Sequence, residues 1–123
     1  MPTSRQRKSF EWTRHEVVRA CHRGLDRVSF IRLAADLLRE SVPFDGACWH
    51  TVDPASLLIT SHHTNLSGAG FAFICRNEYM QDDFNKFATL AGRLRPVAVL
   101  GAATAGHPER SQRFREIYQP RGW

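Results

Sequence analysis

In the first third of the chain, apolar residues recur at helical spacing. Val17, Val18, Cys21 and Leu25 form one stripe, which Thr13 opens with Glu16 three residues on, a capping-box pattern, and Gly24 stops. A second helix is expected from Asp26 or Ser29. Phe30, Ala34 and Leu37 form one of its columns and Ile31, Ala35 and Leu38 the next, while Arg32, Asp36, Arg39 and Glu40 fall opposite and Pro43 ends it. The period then changes. Residues 46–52 and 57–64 flank Asp53-Pro54-Ala55-Ser56 and read as strand, turn and strand, an antiparallel hairpin. A four-residue loop pairs Val52 with Leu57 and Trp49 with Thr60. Residues 65–75, with Gly68 and Gly70 ahead of Phe71-Ala72-Phe73-Ile74, leave helix and loop both open.

Farther on, Tyr79, Phe84, Phe87, Leu90 and Ala91 predict a helix over Glu78 to Ala91. Pro96 to Leu100 reads as a short buried strand near 97–100, and Gly101 to Gly106 as a small-residue loop. Pro108 opens a final helix through Ser111, Phe114, Ile117 and Tyr118. The pattern is α+β: helices, a hairpin, more helices and one further strand. Three strands make a meagre sheet, and an isolated hairpin is marginal in water, so the sheet is expected to be incomplete within one chain.

Composition adjusts this picture only slightly. The chain has 123 residues, of which 42% are hydrophobic and 11% aromatic, enough for a core. The reading is a basic tail over 1–9 and a single, partial domain over 10–123. No apolar run reaches the ~18–20 residues of a membrane span, and the polar start MPTSRQRKS lacks a secretory pattern, so the expected compartment is the cytoplasm. Cys21, Cys48 and Cys75 are widely spaced and imply no disulfide framework.

The formal charge of +5 is unevenly spread: both ends are basic and the middle, 41–92, is acidic. The basic ends include Arg5, Arg7, Lys8 and Arg14 on one side and Arg110, Arg113, Arg115 and Arg121 on the other. They define the alternative function, nucleic-acid binding. Against it stands the plainer reading, in which these arginines sit on solvated helix faces.

Candidate chemistry is sparse. Cys48 and His50 are two apart on a strand and share a face; in the register above His63 joins them diagonally, while His62 joins Trp49 on the other. A Cys48/His50/His63 set is the one metal or nucleophile candidate. Its plainer counterpart is a core cysteine beside solvent-facing histidines, and no metal or cofactor is expected. Glu78, Asp82 and Asp83 read as acids in the first turn of a helix, where the macrodipole favours them. Asn77, Asp83 and Asn85 read as capping and loop-anchoring groups. Neither glycine-bearing loop matches a phosphate-binding pattern. With no acid–base or nucleophile constellation, an enzyme is not expected.

Val42-Pro43-Phe44-Asp45, Ala47-Cys48-Trp49 and Thr51-Val52-Asp53-Pro54 resemble the start of the GAF-like sensor domain found at the N-terminus of actinobacterial LuxR-type transcription regulators. The resemblance continues through Asn77-Glu78-Tyr79, Asp83, Asn85-Lys86-Phe87 and Arg95-Pro96-Val97. It reappears in Pro108-Glu109-Arg110-Ser111 and Arg115-Glu116-Ile117. It implies a GAF-like fold cut to roughly its first half, without the helix-turn-helix that follows in those regulators. The implied function is a non-enzymatic regulatory or interaction module acting through a homodimer or a protein partner. A small-molecule sensor is the further alternative, with Trp49, Phe71, Phe73, Tyr79 and Phe87 as its pocket candidates.

Overall fold

The computed structural model describes residues 7–65 and 70–122; Arg5 and Gly68 lie outside them. The chain divides into two compact units after Trp49, a point that falls inside the first strand.

The first unit is a helical hairpin, α1 (Phe10–Cys21) and α2 (Arg27–Arg39). The helix α1 starts three residues before the expected Thr13, because Ser9 is the residue that caps it: its side chain accepts from the Trp12 amide at 3.1 Å. Thr13 is instead buried within the helix, where its hydroxyl bonds that of Ser41, which also donates to the Ser9 carbonyl at 3.1 Å. Gly24 takes a φ of +67°, the left-handed conformation that lets the chain turn out of α1. Asp26 caps α2 through both the Ser29 amide, at 2.9 Å, and the Ser29 hydroxyl, at 2.7 Å. Those hydrogen bonds, the amide one first, hold its carboxyl below the usual range. Ala20 and Ala34 are the buried apolar residues of this unit, small enough for the two backbones to approach closely.

The second unit begins within β1 (Cys48–Val52), which pairs with β2 (Ile59–Thr64) in a two-stranded sheet. The hairpin is present, with shorter strands and a different register. The carboxylate of Asp53 gathers the Ser56 amide at 3.0 Å and the Ser56 hydroxyl at 2.5 Å, and Leu57 follows at φ +59°. The Asp53 amide then bonds the Leu58 carbonyl at 2.9 Å. The Ile59 amide donates to the hydroxyl of Tyr79 at 2.7 Å. His50 lies against His62, not opposite Ile59, and Thr51 bonds both Thr60, at 2.8 Å, and Ser61, at 2.5 Å. Removing the Tyr79 hydroxyl tests the tie. Tyr79→Phe is expected to cost about 0.5–1.5 kcal/mol and to speed hydrogen exchange at the Ile59 amide. Unchanged exchange at that amide would show that the tie is dispensable.

In the stretch left open at 65–75, α3 (Phe71–Met80) begins at Phe71, and the helix expected over Glu78 to Ala91 does not form as one piece. The chain breaks over 81–86 and resumes as α4 (Phe87–Ala91). Local hydrogen bonding accounts for the break: Asp83 accepts from the Phe84 amide at 2.7 Å, and Asn85 is left-handed at φ +54°. The strand expected near 97–100 is absent as well. Pro96 to Val99 has no partner strand among the described residues, Val97 and Val99 are exposed, and α5 (Leu100–Ala103) begins where a loop was expected. The final helix is built from a 3-10 turn over Pro108–Arg110, a π-helical turn over Phe114–Tyr118 and a 3-10 turn over Gln119–Arg121. Ile74 and Ile117 are the buried apolar side chains here, and the other fully buried groups are polar: Asn77, Glu78, Thr104 and Ser111. The architecture is thus helical with one antiparallel strand pair, an α+β chain.

Candidate functional site

The polar core of the second unit is organised around Arg113. Ile74, Asn77 and Glu78 fall on one face of α3 by their spacing of three and four, and Arg113 lies four residues before Ile117 on the last helix. Both helices therefore turn polar side chains inward at apolar positions. The Arg113 guanidinium donates from Nε and Nη2 to the Asn77 Oδ1, at 2.9 and 2.7 Å, and from Nη2 to the Glu78 Oε1. The second Glu78 oxygen accepts from the Phe87 amide at 2.9 Å and so caps α4. Asn77 passes the network on, its Nδ2 donating to the Asp83 Oδ2 at 2.7 Å, where the Arg113 amide also donates at 2.9 Å.

Each member's demand is met, which is the condition for a buried ion pair to persist. The Glu78 side chain is 1% exposed and that of Arg113 13%. Burial pushes the Asp83 carboxyl up, but hydrogen bonds from Asn77, the Arg113 and Phe84 amides and Ser111 together hold it below the usual range. Asn77 and Asp83 are thus structural anchors, and Asn85 supplies a left-handed turn between them and α4.

Beside this network lies a pair of imidazoles. His50 Nε2 and His62 Nδ1 share a hydrogen bond of 2.6 Å across the hairpin. Phe87 meets His50 edge-on at 5.1 Å between ring centres, Phe71 lies 5.5 Å from His62, and the Arg113 guanidinium sits over Phe87 at 5.5 Å. Burial first, then the neighbouring His62, Arg113 and His63, hold His50 down to a pKa of about 4, so its ring is neutral at pH 7. The outer nitrogens of the pair, His50 Nδ1 and His62 Nε2, are buried and bond nothing in the described residues. The same is true of His63 Nε2 and Gln81 Oε1. Buried polar atoms of this kind are uncommon and call for a hydrogen-bonding occupant such as water.

The expected Cys48/His50/His63 set does not assemble. The observed register brings His62 to His50 in place of His63, and Cys48 is exposed. Among the described residues no group of three or more His, Cys, Asp or Glu side chains has metal-ligand geometry. Of the aromatic pocket candidates, Phe71 and Phe87 flank the histidines and Tyr79 holds the turn. Phe73 and Trp49 are half-buried elsewhere on α3 and β1. Four of the arginines offered for nucleic acid are engaged internally. Arg110 lies over Phe84 at 5.2 Å and reaches the Thr104 carbonyl, Arg113 is in the core network, Arg115 bonds the Glu109 carbonyl and Arg121 that of Ile117. On the N-terminal side Lys8 lies over Trp12 at 5.3 Å, and Arg7 and Arg14 are exposed.

The roles of His62, Glu78 and Arg113 escape a reading of the sequence by charge and β-alternation. The signal that carries two of them is helical: Glu78 is four residues after Ile74, and Arg113 four before Ile117, so both stand on apolar faces. Comparison of the chain with protein-family models, with curated proteins and with solved structures gives no match. No described helix is long and apolar enough to cross a membrane.

Proposed function

We propose that this chain is a non-enzymatic regulatory or interaction module, GAF-like and related to the sensor domains of LuxR-type regulators, that acts by associating with a second copy of itself. The observation that carries this reading is the lone hairpin. Its two strands have no third partner among the described residues, and Val52 and Leu58 beside the turn are exposed. A two-stranded sheet is marginal in water, and open edges with apolar neighbours are templates for further strand pairing. A second copy presenting the same hairpin meets both needs at once. Sequence resemblance supports the GAF-like assignment, and the mixed helix and strand content is compatible with it.

Light scattering on the eluting peak at micromolar concentration tests the proposal. A mass of two chains is expected, falling to one chain in Leu58→Lys, which places a charge beside the open edge. A single-chain mass for the unaltered protein across that range overturns it.

A further inference from the structure

The second unit carries a concavity apart from the histidines. A groove of about 660 Å3 lies between the loop at 83–86, α4 and the segment 97–103. Its apolar wall is made by Phe84, the extended run Val97-Ala98-Val99, and Ala102 and Ala103 of α5. Of the aromatic residues picked out in the sequence, Phe84 lines it. Two cations do, Lys86 and Arg93, and neither side chain has an anionic partner among the described residues. The carboxylate on the groove, Asp83, is already committed, accepting from Asn77 and the Arg113 amide on one oxygen and the Phe84 amide on the other.

The uncommitted charge at the groove is therefore of one sign, and the wall beside it is apolar. A volume in the range of small-ligand sites, with mostly apolar lining and a few polar groups, is the composition of a binding cleft. An apolar ligand would leave two cations beside it unpaired, and a small inorganic anion would leave the alanine and valine wall wet. A molecule that joins an anion to a short apolar body satisfies both. We propose that this groove binds a small organic acid with an apolar body, its carboxylate paired with Lys86 and Arg93 and its hydrocarbon part against Phe84 and residues 97–99. The guanidinium of Arg93 can take the carboxylate in bidentate fashion, while Lys86 contributes a point charge. Because the groove is open, the expected dissociation constant for a ten-heavy-atom acid is on the order of 1 mM.

The proposal is independent of self-association and has its own readout. Octanoate is titrated into the labelled protein and followed by amide NMR, with 1-octanol and acetate as separate probes of the body and the charge alone. Octanoate is expected to give saturable shifts confined to the amides around Phe84 and residues 97–103, with each control at least ten-fold weaker. The double substitution Lys86→Gln, Arg93→Gln is expected to weaken octanoate at least five-fold and to leave 1-octanol unchanged. Arg93 is exposed and Lys86 half-buried, and unchanged amide shifts outside the groove verify the fold. Absence of saturation up to about 20 mM, shifts centred elsewhere, or equal octanoate binding by the double variant overturns the proposal.

Discussion

Arg113→Ala is expected to destabilise the second unit by about 3–5 kcal/mol, a large part of the stability of a domain this size. The substitution takes the one cation paired, among the described residues, with a Glu78 carboxylate that is 1% exposed, and both donors from the Asn77 carbonyl oxygen. It also removes the guanidinium from over Phe87, the ring that meets His50. The cost comes chiefly from stranding buried polar partners and not from losing the intrinsic strength of one ion pair. A companion variant separates these effects: replacing Glu78 and Arg113 together by methionine is expected to cost less than Arg113→Ala alone, since no charge is then left behind. Urea denaturation of the two variants checks both statements. A loss below about 1 kcal/mol for Arg113→Ala would show that Glu78 finds another partner or water.

Acid should loosen the same unit well above the range where carboxylates titrate. An unfolded His50 takes up its proton near pH 6.5, whereas in the fold it does so only near 4. Between those values the unfolded chain binds a proton that the folded one refuses, so stability falls as the pH drops from about 6.5 to about 4. With solvent screening of this half-buried ring allowed for, the loss is about 1–2 kcal/mol. Asp83 adds a second, lower window. Its carboxyl is held below the usual range in the fold, so its contribution is complete above about 3.8 and disappears as the pH falls through its folded value. The variant His50→Gln can keep a hydrogen bond to His62 while removing the titration. Its urea midpoint is expected to change less between pH 7 and pH 4.5 than that of the unaltered protein. Parallel pH profiles would mean that His50 carries its proton in the fold.

The helices of the first unit were legible because their information is local. Columns of Phe30, Ala34 and Leu37 and of Ile31, Ala35 and Leu38 specify α2, and the Asp26 cap is written beside them. The start of α1 was displaced because two hydroxyl residues compete to cap it, and long-range burial of Thr13 against Ser41 gives the role to Ser9. The hairpin was visible, its register was not. Turn length alone gives one pairing, whereas the turn that forms carries Leu57 at φ +59° and is tied to the hydroxyl of Tyr79, twenty residues beyond Ile59.

The strand expected near 97–100 illustrates the opposite error. Valines at 97 and 99 have high strand propensity, but propensity needs a neighbouring strand to become a ladder, and none is present among the described residues. The helix expected through Glu78 to Ala91 failed for a further reason. Apolar spacing continued across 81–86, yet Asp83 and Asn85 prefer local turns, and the network through Asn77 and Arg113 holds them there. The histidine pair and the arginine core were thus beyond a reading by strand alternation and net charge. They become legible only when polar residues at apolar helix positions are treated as a signal.

The arginine network also bears on how this sequence can change over time. Asn77, Glu78, Asp83 and Arg113 are linked so that losing any one side chain deprives at least one neighbour of a partner. A single substitution there passes through an intermediate with a stranded buried group, whereas a concerted exchange does not. Evolution along this lineage is therefore expected to move the four positions as one character, retaining all of them or trading the set for an apolar core. The spacing Asn-Glu, five residues to Asp and thirty more to Arg then serves as a fingerprint of descent that survives when surface and loop sequence have drifted.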